Sequence, residues 1–354
     1  MASAHGYHPR SNCVRKWVVL ALRVMCCLGC GAWARSRFSF DDIPELHSKV
    51  AIVTGASSGI GLVTARELAR KGCHVILACR SREKTLGVIH DMVKSLLPTA
   101  TQVEFMQVDL MDLSSVHAFV EAFRQRHLPL HMLINNAGVM APPFSLSVDG
   151  IESQFATNHV GHHALTIGLL PVLEASAPSR VVMVSSRAHV RAPGIDFANM
   201  NNPHSYFSWN WYSQSKLANI LFARELSRQL EVRNVMNVYI NVVHPGVVRT
   251  STTTSHQHWL TTLVMSMFEL AIDDGAKTQL YVATSDDIVT HNWHGEYFVP
   301  IARLGTCDTL GLNAVLGRRL WAFTEALIRE STTSDVHDDC DCLPTATLLP
   351  PPCA

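Results

Sequence analysis

Val50-Ala-Ile-Val-Thr-Gly-Ala-Ser-Ser-Gly-Ile-Gly61 is the stretch on which the fold turns. Val50–Thr54 is short, apolar and rich in β-branched residues, the pattern of a buried strand. Gly55, Gly59 and Gly61 then remove side chains where backbone must come close to a ligand, and Leu62–Lys71 continues in a helical pattern. A helix N-terminus in that position offers free N–H groups and a partial positive charge to a pyrophosphate. The spacing departs from G-x-G-x-x-G, so that fingerprint does not apply unmodified. A glycine-rich turn alone would be explained by backbone geometry. Strand before, helix after and further motifs downstream favour a nucleotide.

The same alternation continues along the chain. His74–Ala78, Val103–Val108, Met132–Ile134, Arg180–Val184 and Val238–Val243 read as buried strands, and Glu296–Val299 is a candidate for a last one. Ser114–Arg126, Phe155–Leu173 and Tyr212–Leu230 carry helical patterns between them. Such alternation predicts βαβ units and a parallel sheet covered by helices on both faces. Ala192–Asn210, with Pro193, Gly194, Pro203 and several Asn and Ser residues, reads as a loop-like insertion.

The strand ends carry the candidate chemistry. An acidic residue closing the second strand would bind the ribose 2′-hydroxyl of NAD. Ala78-Cys-Arg-Ser-Arg82 stands there instead, and Arg80 suits a 2′-phosphate through charge-assisted hydrogen bonds, so NADP(H) is favoured over NAD(H). A solvated arginine is the plainer reading. Asp109 ends the third strand, either as a turn residue or against an adenine edge. Asn135-Asn-Ala-Gly138 ends the fourth, where open α/β sheets bind ligands, although Asn and Gly also suit a tight turn. Asn158 sits inside a helical pattern beside His159, His162 and His163. No carboxylate or cysteine accompanies these histidines at ligand spacing, which argues against a metal site. Tyr212 and Lys216 lie four apart on one helix face, where a lysine charge pulls a phenol's pKa down from ~10. Ser185-Ser186 closes an apolar strand upstream.

Taken with Asn158-His-Val-Gly-His-His, Arg180-Val-Val-Met-Val-Ser-Ser, Tyr212-Ser-Gln-Ser-Lys-Leu-Ala-Asn and Val243-His-Pro-Gly-Val-Val-Arg-Thr250, the chain resembles the short-chain dehydrogenase/reductases over roughly residues 46 to 330. Within them it is similar to the retinol dehydrogenase-like and WW-domain oxidoreductase-like group. The resemblance implies an α/β fold of the Rossmann type, a doubly wound, mostly parallel sheet in a single domain spanning 41–330. It implies Asn158, Ser186, Tyr212 and Lys216 as the catalytic set, Ser186 rather than Ser185 being the serine that matches. Thr54, Gly55, Ser57, Gly59, Ile60, Gly61, Asn136, Ala137, Pro245, Gly246 and Thr250 match cofactor-contacting positions. Tyr212 would be the acid/base, Lys216 would also hold the nicotinamide ribose, and Asn158 would position a relay water. The step from Ser186 to Tyr212 is longer than in compact members. The aromatics Tyr206, Phe207, Trp209 and Trp211 fall inside it, either lining a substrate mouth or packing the loop.

The chain has 354 residues, 47% of them hydrophobic, and 29 basic against 29 acidic side chains. That is ample for one large core, and no nucleic-acid footprint is visible. Of ten cysteines, Cys73, Cys79 and Cys307 alone fall in the middle of the chain, so the folded part reads as reduced and intracellular. Residues 1–40 lack Asp and Glu, and the run from 17 to 34 is mostly apolar, interrupted by Arg23. A membrane anchor of the endoplasmic-reticulum type, a cleaved signal and an organellar transit peptide all remain open. From Ser331 to 354 the composition predicts a disordered tail. Thr250–Ala271 is strongly apolar and, set over the site, suggests a lipophilic alcohol or carbonyl substrate of retinoid, steroid or aldehyde type. The alternatives are a non-enzymatic NADP-binding regulatory protein and a C=C reductase of similar fold. Nothing in the sequence sets an oligomeric state, and a homo-oligomer stays open.

Overall fold

The computed structural model describes residues 38–96, 102–248 and 269–338. Phe38 onward forms one compact unit. Its elements, in order, are β1 (Val50–Thr54), α1 (Gly59–Arg70), β2 (His74–Cys79), α2 (Arg82–Leu96), β3 (Val103–Gln107), α3 (Leu113–Arg124) and β4 (Met132–Asn135). A helical turn (Ser153–Phe155) and a π-turn (Ala156–Val160) lead into α4 (Gly161–Ala175), followed by β5 (Ser179–Val184), α5 (Ser208–Val232) and β6 (Val238–Val243). The short β7 (Val247–Val248) pairs with β8 (Glu269–Leu270), and α6 (Ile272–Thr284), β9 (Tyr297–Val299), β10 (Arg303–Gly305) and α7 (Ala314–Asp338) complete the described chain.

Among the described residues, eight strands form one sheet in the order β10-β9-β6-β5-β4-β1-β2-β3. All pairs are parallel except β10 with β9. The order reverses between β1 and β4, and in a doubly wound sheet the crevice at such a reversal, beyond the carboxyl ends of the strands, receives the ligand. β1 shows why the strands are continuous apolar runs. Val50 and Ile52 face one core with Phe119, Leu165 and Leu217 of α3, α4 and α5. Ala51 and Val53 face a second core with Val63, Leu68 and Leu280 of α1 and α6. A strand covered on both faces has no solvent side on which to place polar residues. Truncating the fully buried Ile52 to alanine would cost roughly 2–5 kcal/mol.

β1 and β6 fall where the sequence places them. The helix read at Leu62 begins at Gly59, so the last turn of the glycine loop is already helical. The insertion ends at Ser208, slightly earlier than Asn210. α7 continues to Asp338, past the Ser331 at which composition predicts a disordered tail. Once a helix is anchored, each further residue gains a backbone hydrogen bond at little extra cost. The anchor lies on the π-turn, α4 and α5: Trp321 stacks on Phe222 at 5.6 Å, Thr324 Oγ1 bonds His159 Nε2 at 3.0 Å, and His163 Nε2 bonds Glu325 Oε1 at 2.6 Å. Two of the three clustered histidines therefore serve helix packing. No helix among the described residues is long and apolar enough to cross a membrane. The apolar run from 17 to 34 and the tail beyond Asp338 lie outside the described residues, as do residues 249–268, most of the apolar segment expected over the site.

Candidate active site

Thr54 ends β1, fully buried, and its hydroxyl organises the loop beyond β4. Thr54 Oγ1 accepts hydrogen bonds from the Asn136 and Ala137 amides, both at 2.9 Å, and Asn136 Nδ2 donates to the Thr54 carbonyl at 2.9 Å. The same hydroxyl lies 2.9 Å from His162 Nε2, and His162 Nδ1 lies 3.1 Å from the Asn158 carbonyl. A carbonyl only accepts, so Nδ1 carries the ring proton and Nε2 accepts from Thr54. The hydroxyl thus spends its one proton on His162 and both lone pairs on the loop. Burial pushes His162 down to about 4, against the pull of the Asn158 carbonyl, which keeps the ring neutral as the network requires.

The glycines permit this closeness. Gly55 has φ +66°, and a Cβ on it would stand 2.9 Å from Ala137 Cα. A Cβ on Gly61 would overlap Asn136 Nδ2 and approach the Gly55 carbonyl at 2.7 Å. Gly59 has φ +57°, and Ser57, Gly59 and Ile60 are part-exposed on the rim. Ser58, the N-cap of α1, makes no side-chain capping bond, which leaves the first-turn amides without that partner. At the ends of β2 and β3, Arg80 Nη1 lies 3.9 Å from Asp109 Oδ2, with the arginine side chain 71% exposed. These two expected adenosine-side residues are therefore neighbours.

Tyr212, Lys216, Ser186 and Asn158 meet beyond β4 and β5. Lys216 Nζ donates to the Val184 carbonyl at 3.1 Å and lies 5.8 Å from the centre of the Tyr212 ring. Burial pushes Lys216 down to about 8. Burial also raises the Tyr212 phenol above its ordinary range, with Ser186 opposing through a hydrogen bond. The direction is opposite to the depressed phenol expected from the lysine spacing, because desolvation disfavours the phenolate. Ser186 Oγ accepts from the Ala188 amide at 3.2 Å. Its neighbour Ser185 is occupied elsewhere, donating to the Lys216 carbonyl at 2.7 Å.

Asn158 lies in the π-turn, a one-residue bulge that re-aims side chains. Its Oδ1 accepts from the Val139 amide at 2.8 Å, and Nδ2 donates to the Val139 carbonyl at 3.0 Å and Ser215 Oγ at 2.9 Å. That clamp seats Gly138 so closely that a Cβ there would lie 3.0 Å from Asn158 Oδ1 and 3.3 Å from Lys216 Nζ. On the far side, His244 Nδ1 accepts from the Arg187 and Gly246 amides, each at 3.3 Å, tying the turn after Ser186 to Pro245 and Gly246. Burial holds His244 at about 3, which keeps that nitrogen an acceptor. Thr250 lies outside the described residues.

The family profile of short chain dehydrogenases matches residues 49–261. The chain belongs to the short chain dehydrogenase family. An uncharacterized oxidoreductase of Schizosaccharomyces pombe is 42% identical over 285 residues, 76% of this chain and 82% of that one. Retinol dehydrogenase 14 of Mus musculus is 38% identical over 302 residues, 80% and 86% of the two chains, which bears out the retinol dehydrogenase-like resemblance. A crystal structure of an uncharacterized protein from Mycobacterium paratuberculosis superposes with a TM-score of 0.66 at 37% identity, covering 83% of this chain and 98% of that one.

Short chain dehydrogenases use a nicotinamide cofactor, and the cradle fits one. It has glycines at 55, 61 and 138 where side chains would intrude, a helix N-terminus whose N-cap makes no side-chain bond, and an exposed arginine near Asp109. His162, His244 and Gln154 escaped the sequence reading. His162 had a usable signal, its place four residues after Asn158 on one helix face. His244 and Gln154, whose side chain joins the Ala141 amide to the Tyr206 hydroxyl, act on loops distant in sequence, and no local pattern marks them.

Proposed function

We propose that this short chain dehydrogenase interconverts an alcohol and a carbonyl on a lipophilic substrate, using NADP(H), with Tyr212 as the acid/base. The observation that carries the reading is the convergence of the Tyr212 phenol, the Ser186 hydroxyl and the buried Lys216 ammonium beside Gly138 at the carboxyl edge of the sheet. Gly55, Ser57, Gly59, Ile60 and Gly61 would hold the pyrophosphate, and Arg80 the 2′-phosphate, with Asp109 beside the adenine. Asn136, Ala137, Pro245, Gly246 and Lys216 would border the nicotinamide ribose and ring.

When bound, the nicotinamide supplies the hydride for reduction or accepts it in oxidation. Tyr212 gives its proton to the carbonyl oxygen, and the Ser186 hydroxyl donates a hydrogen bond to that oxygen as charge grows there. A phenol raised by burial stays protonated at neutral pH, the form that reduction needs. Lys216 stabilises the phenolate left behind and returns a proton to it. Asn158 keeps Val139, and with it Gly138, in place beside Lys216. Oxidation of the alcohol runs the same path backwards.

The test is NADPH consumption with retinal, steroid ketones and medium-chain aldehydes. Tyr212→Phe is expected to lower turnover by roughly 10²–10⁴-fold while NADPH affinity stays the same. Undiminished turnover in that variant sinks the assignment. Consumption with enones but not aldehydes points to C=C reduction, and binding without any consumption to a regulatory protein.

A further inference from the structure

The four aromatics ahead of Tyr212 divide into two pairs. Tyr206 and Trp211 are scaffold. The Tyr206 hydroxyl donates to the Pro142 carbonyl at 2.7 Å and accepts from Gln154 Nε2 at 2.9 Å. Trp211 is 4% exposed, with its indole N–H on the Met200 carbonyl at 2.9 Å. Gln154 also accepts from the Ala141 amide at 2.8 Å and donates to the Ser208 carbonyl at 3.0 Å, so the segment before α5 is sewn to the loop after β4. Asp196 N donates to Gln214 Oε1 at 2.6 Å, fastening the start of the insertion to α5.

Phe207 and Trp209 are the other pair. They stand 57% and 40% exposed on this fastened segment, so their exposure does not reflect a loose loop. Residues two apart on a helix point roughly 200° from each other, which is why Trp211 enters the core and Trp209 leaves it. A single exposed apolar side chain needs no explanation. Trp209 differs because its ring meets that of Tyr212 edge to face, at 6.2 Å and 87°. Among the described residues, nothing hydrogen-bonds its indole N–H.

We propose that Trp209 is a specificity-determining residue. It is the wall against which the apolar part of the substrate lies beside the reacting phenol, with Phe207 extending that wall at the mouth. A rigid indole offers a large flat contact with little entropy to lose, so it selects flat, unsaturated carbonyl compounds and their alcohols over short saturated ones. The inference rests on the reading of Tyr212 as acid/base.

Steady-state kinetics with all-trans-retinal and hexanal test it in the wild type, W209A and W209F. The ratio of kcat/KM for retinal to that for hexanal is expected to fall at least about tenfold in W209A, through KM for retinal, and to recover in W209F. An unchanged ratio in W209A overturns the proposal. So does an equal fall for both aldehydes that W209F fails to restore, since Trp209 would then only support Tyr212. Retinal binding to the NADPH-loaded protein, read by fluorescence quenching, separates the two readings. A wild type that turns over neither aldehyde nor any steroid ketone defeats the proposed function, whereas equal retinal affinity in wild type and W209A defeats the role of Trp209.

Discussion

The glycine-lined cradle and the exposed aromatic rim of this molecule are built in opposite ways. Around β1 and β4 the working surface is main chain, brought together by missing side chains at Gly55, Gly61 and Gly138 and by one buried hydroxyl. Around the start of α5 the surface is side chain, two exposed aromatics carried on a segment that buried polar contacts tie down. The family binds a nicotinamide dinucleotide, and a main-chain surface depends little on which residues surround it. A rim made of side chains changes with each substitution while the scaffold beneath stays. The lesson is that the cradle's shape is bound up with stability here, whereas on the proposed reading the rim would set substrate choice largely apart from it.

The largest break in that contrast is expected at Thr54. Thr54→Val keeps the shape but strands the Asn136 and Ala137 amides, at a cost of roughly 1–3 kcal/mol for each buried unsatisfied group. Thr54→Ser keeps the hydroxyl and should lose far less. Denaturant unfolding of the two variants decides it, and equal stabilities would refute the network.

A smaller effect is expected from pH. His162 titrates at about 4 in the folded protein against an ordinary 6.5. Between those values the unfolded chain binds a proton that the folded one refuses, so stability falls as pH drops below 6.5. The slope is about 1.4 kcal/mol per pH unit for this residue. His162→Gln should flatten that part of the profile of Tm against pH, and an unaltered slope would remove the histidine from the account.

Arg80→Ala should weaken NADPH by roughly tenfold and leave NADH unchanged, as expected for loss of one charge-assisted contact. Equal losses for both dinucleotides would show that the exposed guanidinium does not read the 2′-phosphate. The smallest effect belongs to the rim. Phe207→Ala should change unfolding stability by no more than about 0.5 kcal/mol, the range of ordinary surface substitutions. A loss of several kcal/mol would erase the distinction between the two sides.

Much of the sheet was legible because parallel strands buried on both faces are written as unbroken β-branched runs, and Val50–Thr54 and Val238–Val243 could be read to the residue. α2, α6 and α7 were not among the helices read. α7 shows why: its partners Phe222, His159 and His163 lie about a hundred or more residues earlier, so what holds it is absent from its own neighbourhood. For the same reason the clustered histidines looked like a single feature until packing gave His162 to Thr54 and the other two to α7.

By itself the sequence determined the α/β alternation, the family and the positions of the glycine loop, because strand periodicity, missing side chains and helix spacing are local properties. Only the tertiary structure decided how those positions interact. It showed that burial raises the Tyr212 phenol, that Arg80 and Asp109 are neighbours, and which of the four aromatics remain exposed. Desolvation and contact depend on what the rest of the chain packs around a group, and that is fixed only when distant segments meet.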